Sequence, residues 1–455
     1  MTHETAALAV IEMAEQGRFA EISDRFPPSL RPMVPPDALR AAWEAEIARH
    51  GPVSGLGTPV TESAGPGMVL VKVPVTFERG TMTVAVALTG EKGDEGDEGD
   101  QGDEGQDGGE SWVTGIQLLP ASAAEPAAPW APPPYADPDS FTEQDITVGD
   151  GPLAVPGTLS VPRGHDGGHD DGHGGTVPGV VLLAGSGPND QDETIGRNKP
   201  FKDLAWGLAT AGIAVLRFDK VTRAHPDLVG ENPRFTLTDE YVPHAVAALD
   251  LLRGHPAVDP ARVFLAGHSQ GGTVAPRVAA RTPVAGLVIL AGGAQPLQQA
   301  MVRQFRYLAS LNDRQAAAQS AALDVVTRQA AAVEDPGLSE STPPQDLPFG
   351  VPAAYWLDQR DYDAPHAAAA LGKPVLIVQG GRDYQVTVAD DLSRWQAALD
   401  GRPDVTIQVY PADNHLFFPG EGPSTPAEYE PAQHMDPEVV AGIAGWLTTT
   451  GLNAS

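Results

Sequence analysis

One serine, with glycines two places before and two places after it and an apolar run directly behind, constrains this chain more than any other feature. The stretch is Arg262-Val-Phe-Leu-Ala-Gly-His-Ser-Gln-Gly-Gly-Thr273. Val263 to Ala266 reads as a buried strand, and the residues from Gln270 onward suit a helix. The turn between them must be sharp enough to lift Ser269 clear of the backbone. That holds Ser269 near disallowed φ/ψ space, so its neighbours at −2 and +2 must lack a Cβ. The result is the G-x-S-x-G pattern of a nucleophile elbow. The helix that starts there aims free N–H groups and the positive end of its dipole at the same point. A bare match means little in a chain with 50 glycines. The strand before it and Gly272 after it favour an elbow over a tight turn with an incidental serine.

A serine hydroxyl becomes a good nucleophile only when a histidine takes its proton and a carboxylate orients that histidine. On elbows of this kind the chain order is Ser, acid, His. The apolar run 375–379 leads to Asp383, and the run 406–410 leads to His415, so both follow strands downstream of Ser269. The rivals fit less well. Asp390 and Asp391 lie inside a helical stretch, Asp413 stands too close to His415 in sequence, and His366 and His434 follow no strand. An oxyanion needs two N–H donors. The amide of Gln270 is one. Ser186, in the loop after the apolar run 180–184, is expected to supply the other, with Gly187 second. In that loop Asn189, Asp190 and Asp192 read as turn formers.

From about residue 141, strands and helices alternate, which implies an α/β fold: a mostly parallel sheet with helices on both faces, over 141–455. Residues 295–365 interrupt the rhythm with helical sequence and a Pro-rich loop, which reads as a helical cap over the site. Tyr355 and Trp356 either line the pocket or anchor the cap in its own core. Residues 1–119 read as a small α+β domain. Helices are expected over 5–16, 18–26 and from Asp37 as N-cap, then strands over 67–77, 80–89 and 111–119. An Ala/Pro-rich linker over 120–140 joins the two parts. Two glycine-rich insertions, 93–109 and 164–175, read as hairpin loops. The first has glycine every third residue but too few triplets and no proline for a triple helix. The second carries His165, His169 and His173, with no rigid element to hold a metal.

Composition removes whole classes of function. The formal net charge of −31 argues against nucleic acid and anionic membranes, although nine of the 60 acids lie in the one segment 94–110. With no cysteine, thiol catalysis, disulfides and zinc-thiolate sites are out. No run reaches the ~18 apolar residues of a membrane span, and the start lacks a signal-peptide pattern, so a cytoplasmic location is expected.

The stretch 185–204, together with 215–220, 267–272 and 355–357, resembles blocks of bacterial α/β-hydrolase carboxylesterases. Residues 1–119 are similar to the small cystatin-like amino-terminal domain that some of them carry. The resemblance implies a serine esterase acting on a small-molecule ester, with Ser269, Asp383 and His415 on the triad positions and neither metal nor organic cofactor. Thioester or peptide cleavage on the same triad is the enzymatic alternative, and a non-catalytic binding module on a hydrolase fold the other. Ala184 stands where many relatives carry histidine, a departure that bears on the hydrogen bonding of the oxyanion loop but leaves its backbone donors.

Overall fold

The computed structural model describes the whole chain except residues 1, 28–29, 32–33, 66–67, 92–110, 121–129, 165–174, 312–315 and 451–455. The acidic glycine repeat and most of the histidine-rich segment therefore lie outside the described residues. The chain divides into two compact units, Met1–Ala128 with Leu308–Arg328, and Pro129–Tyr307 with Gln329–Ser455.

The first unit contains α1 (His3–Glu15), α2 (Phe19–Asp24), α3 (Pro36–His50) and β1 (Val53–Leu56), β2 (Val60–Gly65), β3 (Met68–Phe77), β4 (Gly80–Glu91) and β5 (Ser111–Pro120). The sheet is antiparallel, in the order β1-β3-β4-β5, and β2 also pairs with β3. Strands β1 and β2 are short and rich in Gly, Ser and Thr, so no period-2 apolar pattern announces them. Asp37 is not the N-cap expected: Pro35 caps α3, and Asp37 lies in its first turn, where its charge still suits the dipole. Val10 and Ile11 of α1 pack with Val71, Val73, Val84 and Val86 to form this unit's core.

The second unit runs β6 (Phe141–Val148), β7 (Val155–Pro162), β8 (Val177–Leu183), α4 (Pro200–Thr210), β9 (Ala214–Phe218), α5 (Val221–Ala224), α6 (Pro226–Gly230), α7 (Leu237–Gly254), β10 (Val258–His268), α8 (Gln270–Ala279) and β11 (Leu287–Leu290). It continues with α9 (Leu297–Ser310) and α10 (Ala316–Glu334), whose residues 308–310 and 316–328 belong to the first unit, and then with α11 (Ala353–Gln359), α12 (Ala364–Leu371), β12 (Val375–Gly380), α13 (Ser393–Ala398), β13 (Val405–Tyr410) and α14 (Pro437–Thr449). Its eight strands stand in the order β13-β12-β11-β10-β8-β9-β7-β6. The six from β13 to β9 are parallel, and β7 and β6 add an antiparallel edge.

Strand β8 shows why these runs are continuously apolar. Val181 and Leu183 enter the core beneath α7 and α8, while Val180 and Leu182 enter the core beneath α4 and α14. A strand covered on both faces has no polar side, and each large side chain so buried stabilises by about 1.5–3 kcal/mol. The linker expected over 120–140 does not stay loose to its end. Trp130 donates from Nε1 to Asp203 at 2.8 Å and meets Trp206 edge-on. Gly207 leaves room for the Tyr135 ring, which a Cβ there would approach to 3.0 Å.

Candidate active site

Strands β8, β10, β12 and β13 all point the same way, so the loops after them meet at one edge of the sheet. Ser269 follows β10 with φ 52° and ψ −119° and directly precedes α8. The glycine pattern has a measurable cause. A Cβ on Gly267 would lie 2.3 Å from the Gly271 carbonyl oxygen, and one on Gly271 only 2.2 Å from that of Leu183. The Ser269 amide donates to the Leu290 carbonyl at 2.9 Å, which ties the elbow to β11.

Asp383 and His415 are brought together. His415 Nδ1 lies 2.7 Å from Asp383 Oδ2, and both side chains are buried. The carboxylate also accepts from the amides of Gln385 and Val386 at 2.8 and 2.9 Å and from Gln379 Nε2 at 3.2 Å. With Nδ1 donating to this fixed acceptor, Nε2 is the nitrogen left to take a proton. No hydrogen bond joins Ser269 Oγ to His415 among the described residues, a contact that commonly tightens only when substrate binds. The rivals have other work. Asp391 accepts from the amides of Ala294, Gln295 and Thr387 and from Arg303, and Asp390 caps its own turn with Thr387. Asp413 is buried, and neither of its oxygens accepts a hydrogen bond. Burial, with the Asp436 carboxylate beside it, pushes Asp413 up to about 7.

Ser186, Ser269 and Gln270 line one cavity of about 540 Å³. The backbone amides of Ser186 and Gln270 have no protein acceptor among the described residues. The remaining wall comes mainly from α9, the end of α10 with Pro336 after it, and α11, including Trp356. Tyr355 does not line it. Its hydroxyl turns inward instead, donating to Glu240 at 2.8 Å and standing 3.3 Å from Gln270 Oε1. The reason is helical geometry: adjacent residues on α11 point about 100° apart, so only one of the pair can face the cavity.

The absence of histidine at position 184 has a structural answer. Lys220 Nζ donates to the Gly185 carbonyl at 2.9 Å, and Tyr241 Oη reaches the same oxygen at 2.8 Å. Asn189 Nδ2 adds bonds to the carbonyls of Gly185 and Ser186 at 3.1 and 3.0 Å, so it braces the loop and is no mere turn former. Asp192 is likewise engaged, pairing with Lys199 and Arg217. Lys220 is buried against Glu240 at 3.0 Å. Burial lowers the Lys220 ammonium from its usual range, and Glu240 only partly offsets this. A lysine two residues past the buried strand β9 was the available signal for this partner. Among the described residues no group of three or more His, Asp or Glu side chains is arranged to hold a metal ion.

A parallel sheet wound by helices, with a strained serine at its carboxyl edge and a carboxylate-bound histidine three strands away, defines an α/β hydrolase. The chain belongs to the alpha/beta hydrolase family, whose model matches residues 180–432. It is 38% identical over 318 residues to Esterase EstD of Thermotoga maritima, an alignment covering 69% of each chain. Among solved structures, 2,6-dihydroxy-pseudo-oxynicotine hydrolase matches at 16% identity and a TM-score of 0.42, covering 68% of each chain. An esterase of Pyrococcus furiosus matches at 17% identity and a TM-score of 0.38, covering 64% of this chain and 91% of that one. No helix among the described residues is long and apolar enough to cross a membrane.

Proposed function

We propose that this carboxylic ester hydrolase works through an acyl-enzyme formed on Ser269. The observation that carries the reading is the strained φ of Ser269 at the mouth of α8, beside a cavity that it shares with two amides lacking protein acceptors. Backbone strain of this kind costs about 1–3 kcal/mol and persists where it serves a site. Ser269 Oγ attacks the acyl carbonyl as His415 Nε2 takes its proton. The carbonyl oxygen, now negative, accepts from the amides of Gln270 and Ser186, each donor of this kind being worth about 3–4 kcal/mol. His415 then passes the proton to the departing alkoxide, and water repeats the sequence on the acyl-enzyme. Asp383 holds His415 in the productive tautomer and stabilises its charged form.

A fluorophosphonate probe and a panel of p-nitrophenyl esters test this directly. Wild type should label at one serine and turn over the esters, and Ser269→Ala should do neither, with turnover lowered by about 10⁴–10⁶-fold. A Ser269→Ala enzyme that keeps a tenth or so of wild-type turnover excludes the scheme.

A further inference from the structure

The residue before the nucleophile, His268, sits at the junction of every moving part of the proposed chemistry. Its ring is buried, with Nδ1 2.9 Å from Glu193 Oε1 and Nε2 2.9 Å from the backbone carbonyl of His415. The same Glu193 oxygen accepts from the amide of Gly185, at the start of the oxyanion loop, at 2.6 Å. One carboxylate oxygen and one imidazole therefore bridge three segments: the oxyanion loop after β8, the elbow after β10 and the histidine loop after β13. Glu193 holds this position at a strained φ of 52°, and the His268 and His415 rings lie 4.6 Å apart, with Phe201 and Phe417 closing the sides.

The hydrogen-bond pattern fixes the state of His268. Both ring nitrogens face acceptors, and a neutral imidazole has only one N–H to give. Both bonds exist together only in the doubly protonated ring. Burial opposes that charge most strongly, but the Glu193 carboxylate, the His415 carbonyl and Asp383 together outweigh it and raise His268 above the ordinary histidine value. The other charged groups facing this cluster are Asp383, whose field acts in the same direction, and Lys220, which lies within the field of Glu193.

We propose that Glu193 and His268 are a positioning pair, a buried ion pair that sets the backbone of His415 against the oxyanion loop and leaves the chemistry to others. The inference rests on the Ser269–His415–Asp383 reading above. Displacing a reacting group by about 1 Å can cost ~10²-fold in rate. A lost His268–His415 bond is therefore expected to appear in kcat, with KM little changed.

Kinetics of the full-length enzyme on p-nitrophenyl butyrate test the pair. Glu193→Gln is expected to lower kcat about 30-fold near pH 8 and to change KM less than about threefold. The deficit should persist from about pH 5.5 to about 8.5, because without the carboxylate burial keeps the second proton off His268. The double variant Glu193→Gln/His268→Gln should fall no further than the worse single variant, as expected for two residues acting as a unit. A kcat within about threefold of wild type, a loss expressed in KM instead of kcat, or additive losses would each overturn the proposal. Should Glu193→Gln not fold, Glu193→Asp keeps the charge and shortens its reach. It is expected to lose about tenfold in kcat at every pH, and an unchanged kcat or a pH-dependent deficit would overturn the pair. Ser269→Ala serves as the control. If it stays active, the triad reading fails; if it is dead while Glu193→Gln is unimpaired, only the positioning pair fails.

Discussion

Asp413 offers a prediction whose size and sign both come from the structure. The residue is buried two places before His415, accepts no hydrogen bond, and is held near the Asp436 carboxylate. An ordinary aspartate titrates near 3.8, and Asp413 is pushed up to about 7. The folded chain therefore keeps a proton, donated toward Asp436, that the unfolded chain has released. Its contribution to stability is complete below about pH 4 and is lost as pH rises through about 7. At about 1.4 kcal/mol per pH unit the gap amounts to roughly 4 kcal/mol, and screening with relaxation around the charge brings it to about 2. Asp413→Asn removes the titration while keeping the shape. Urea unfolding of both proteins at about pH 5 and pH 8.5 reads the difference. The variant should match wild type within ~1 kcal/mol at the lower pH and exceed it by about 2 kcal/mol at the higher. Esterase kcat/KM near neutral pH should stay within about threefold, since Asp413 touches no reacting atom. An equal stability difference at both pH values would refute the buried proton, and a thousandfold activity loss would make Asp413 the triad acid after all.

Asp383→Asn should lower kcat by about 10³–10⁴-fold with the fold intact, because an amide stabilises the wrong histidine tautomer. Asp391→Asn, measured beside it, should spare most of kcat and instead lower the melting temperature. Its carboxylate ties three backbone amides and Arg303 together, and loss of bonds to a buried charge costs on the order of 1.5–3 kcal/mol each. A larger kcat loss for Asp391→Asn than for Asp383→Asn reverses the assignment. Gly271→Ala should give little soluble protein, since its Cβ would meet two backbone carbonyls, those of Leu183 and Ala184, at 2.2 and 2.7 Å. Normal expression and labelling of that variant would mean that the elbow is looser than drawn.

Much of this site was legible in the chain because its constraints are local. A strained elbow demands missing Cβ atoms at fixed offsets, and at Gly267 and Gly271 a Cβ would collide with a backbone oxygen at 2.3 and 2.2 Å. Continuous apolar runs imply strands covered on both faces, and β8 divides its side chains between two cores as that requires. Asp383 follows such a run, His415 follows the alternating edge strand β13, and their chain order matches strand order along the edge from β10 to β13. Where local pattern was weak, the reading failed. Strands β1 and β2 carried no alternation, Asp37 gave way to Pro35 as the cap of α3, and Tyr355 faces Glu240 instead of the cavity.

What the chain alone could not supply is partnership between distant residues. Glu193 and His268 are 75 positions apart, and His268 and His415 are 147 apart. Glu193 meets His268 because β8 lies beside β10 in the sheet, and His415 meets His268 because the loop after β13 opens on the same carboxyl edge. The same holds for Lys220, which reaches the Gly185 carbonyl across 35 positions because β9 pairs with β8. Periodicity and steric demand act between neighbours in sequence and can be read there. A buried charge is satisfied by whichever acceptor the packed sheet brings within about 3 Å, and that choice belongs to the tertiary structure.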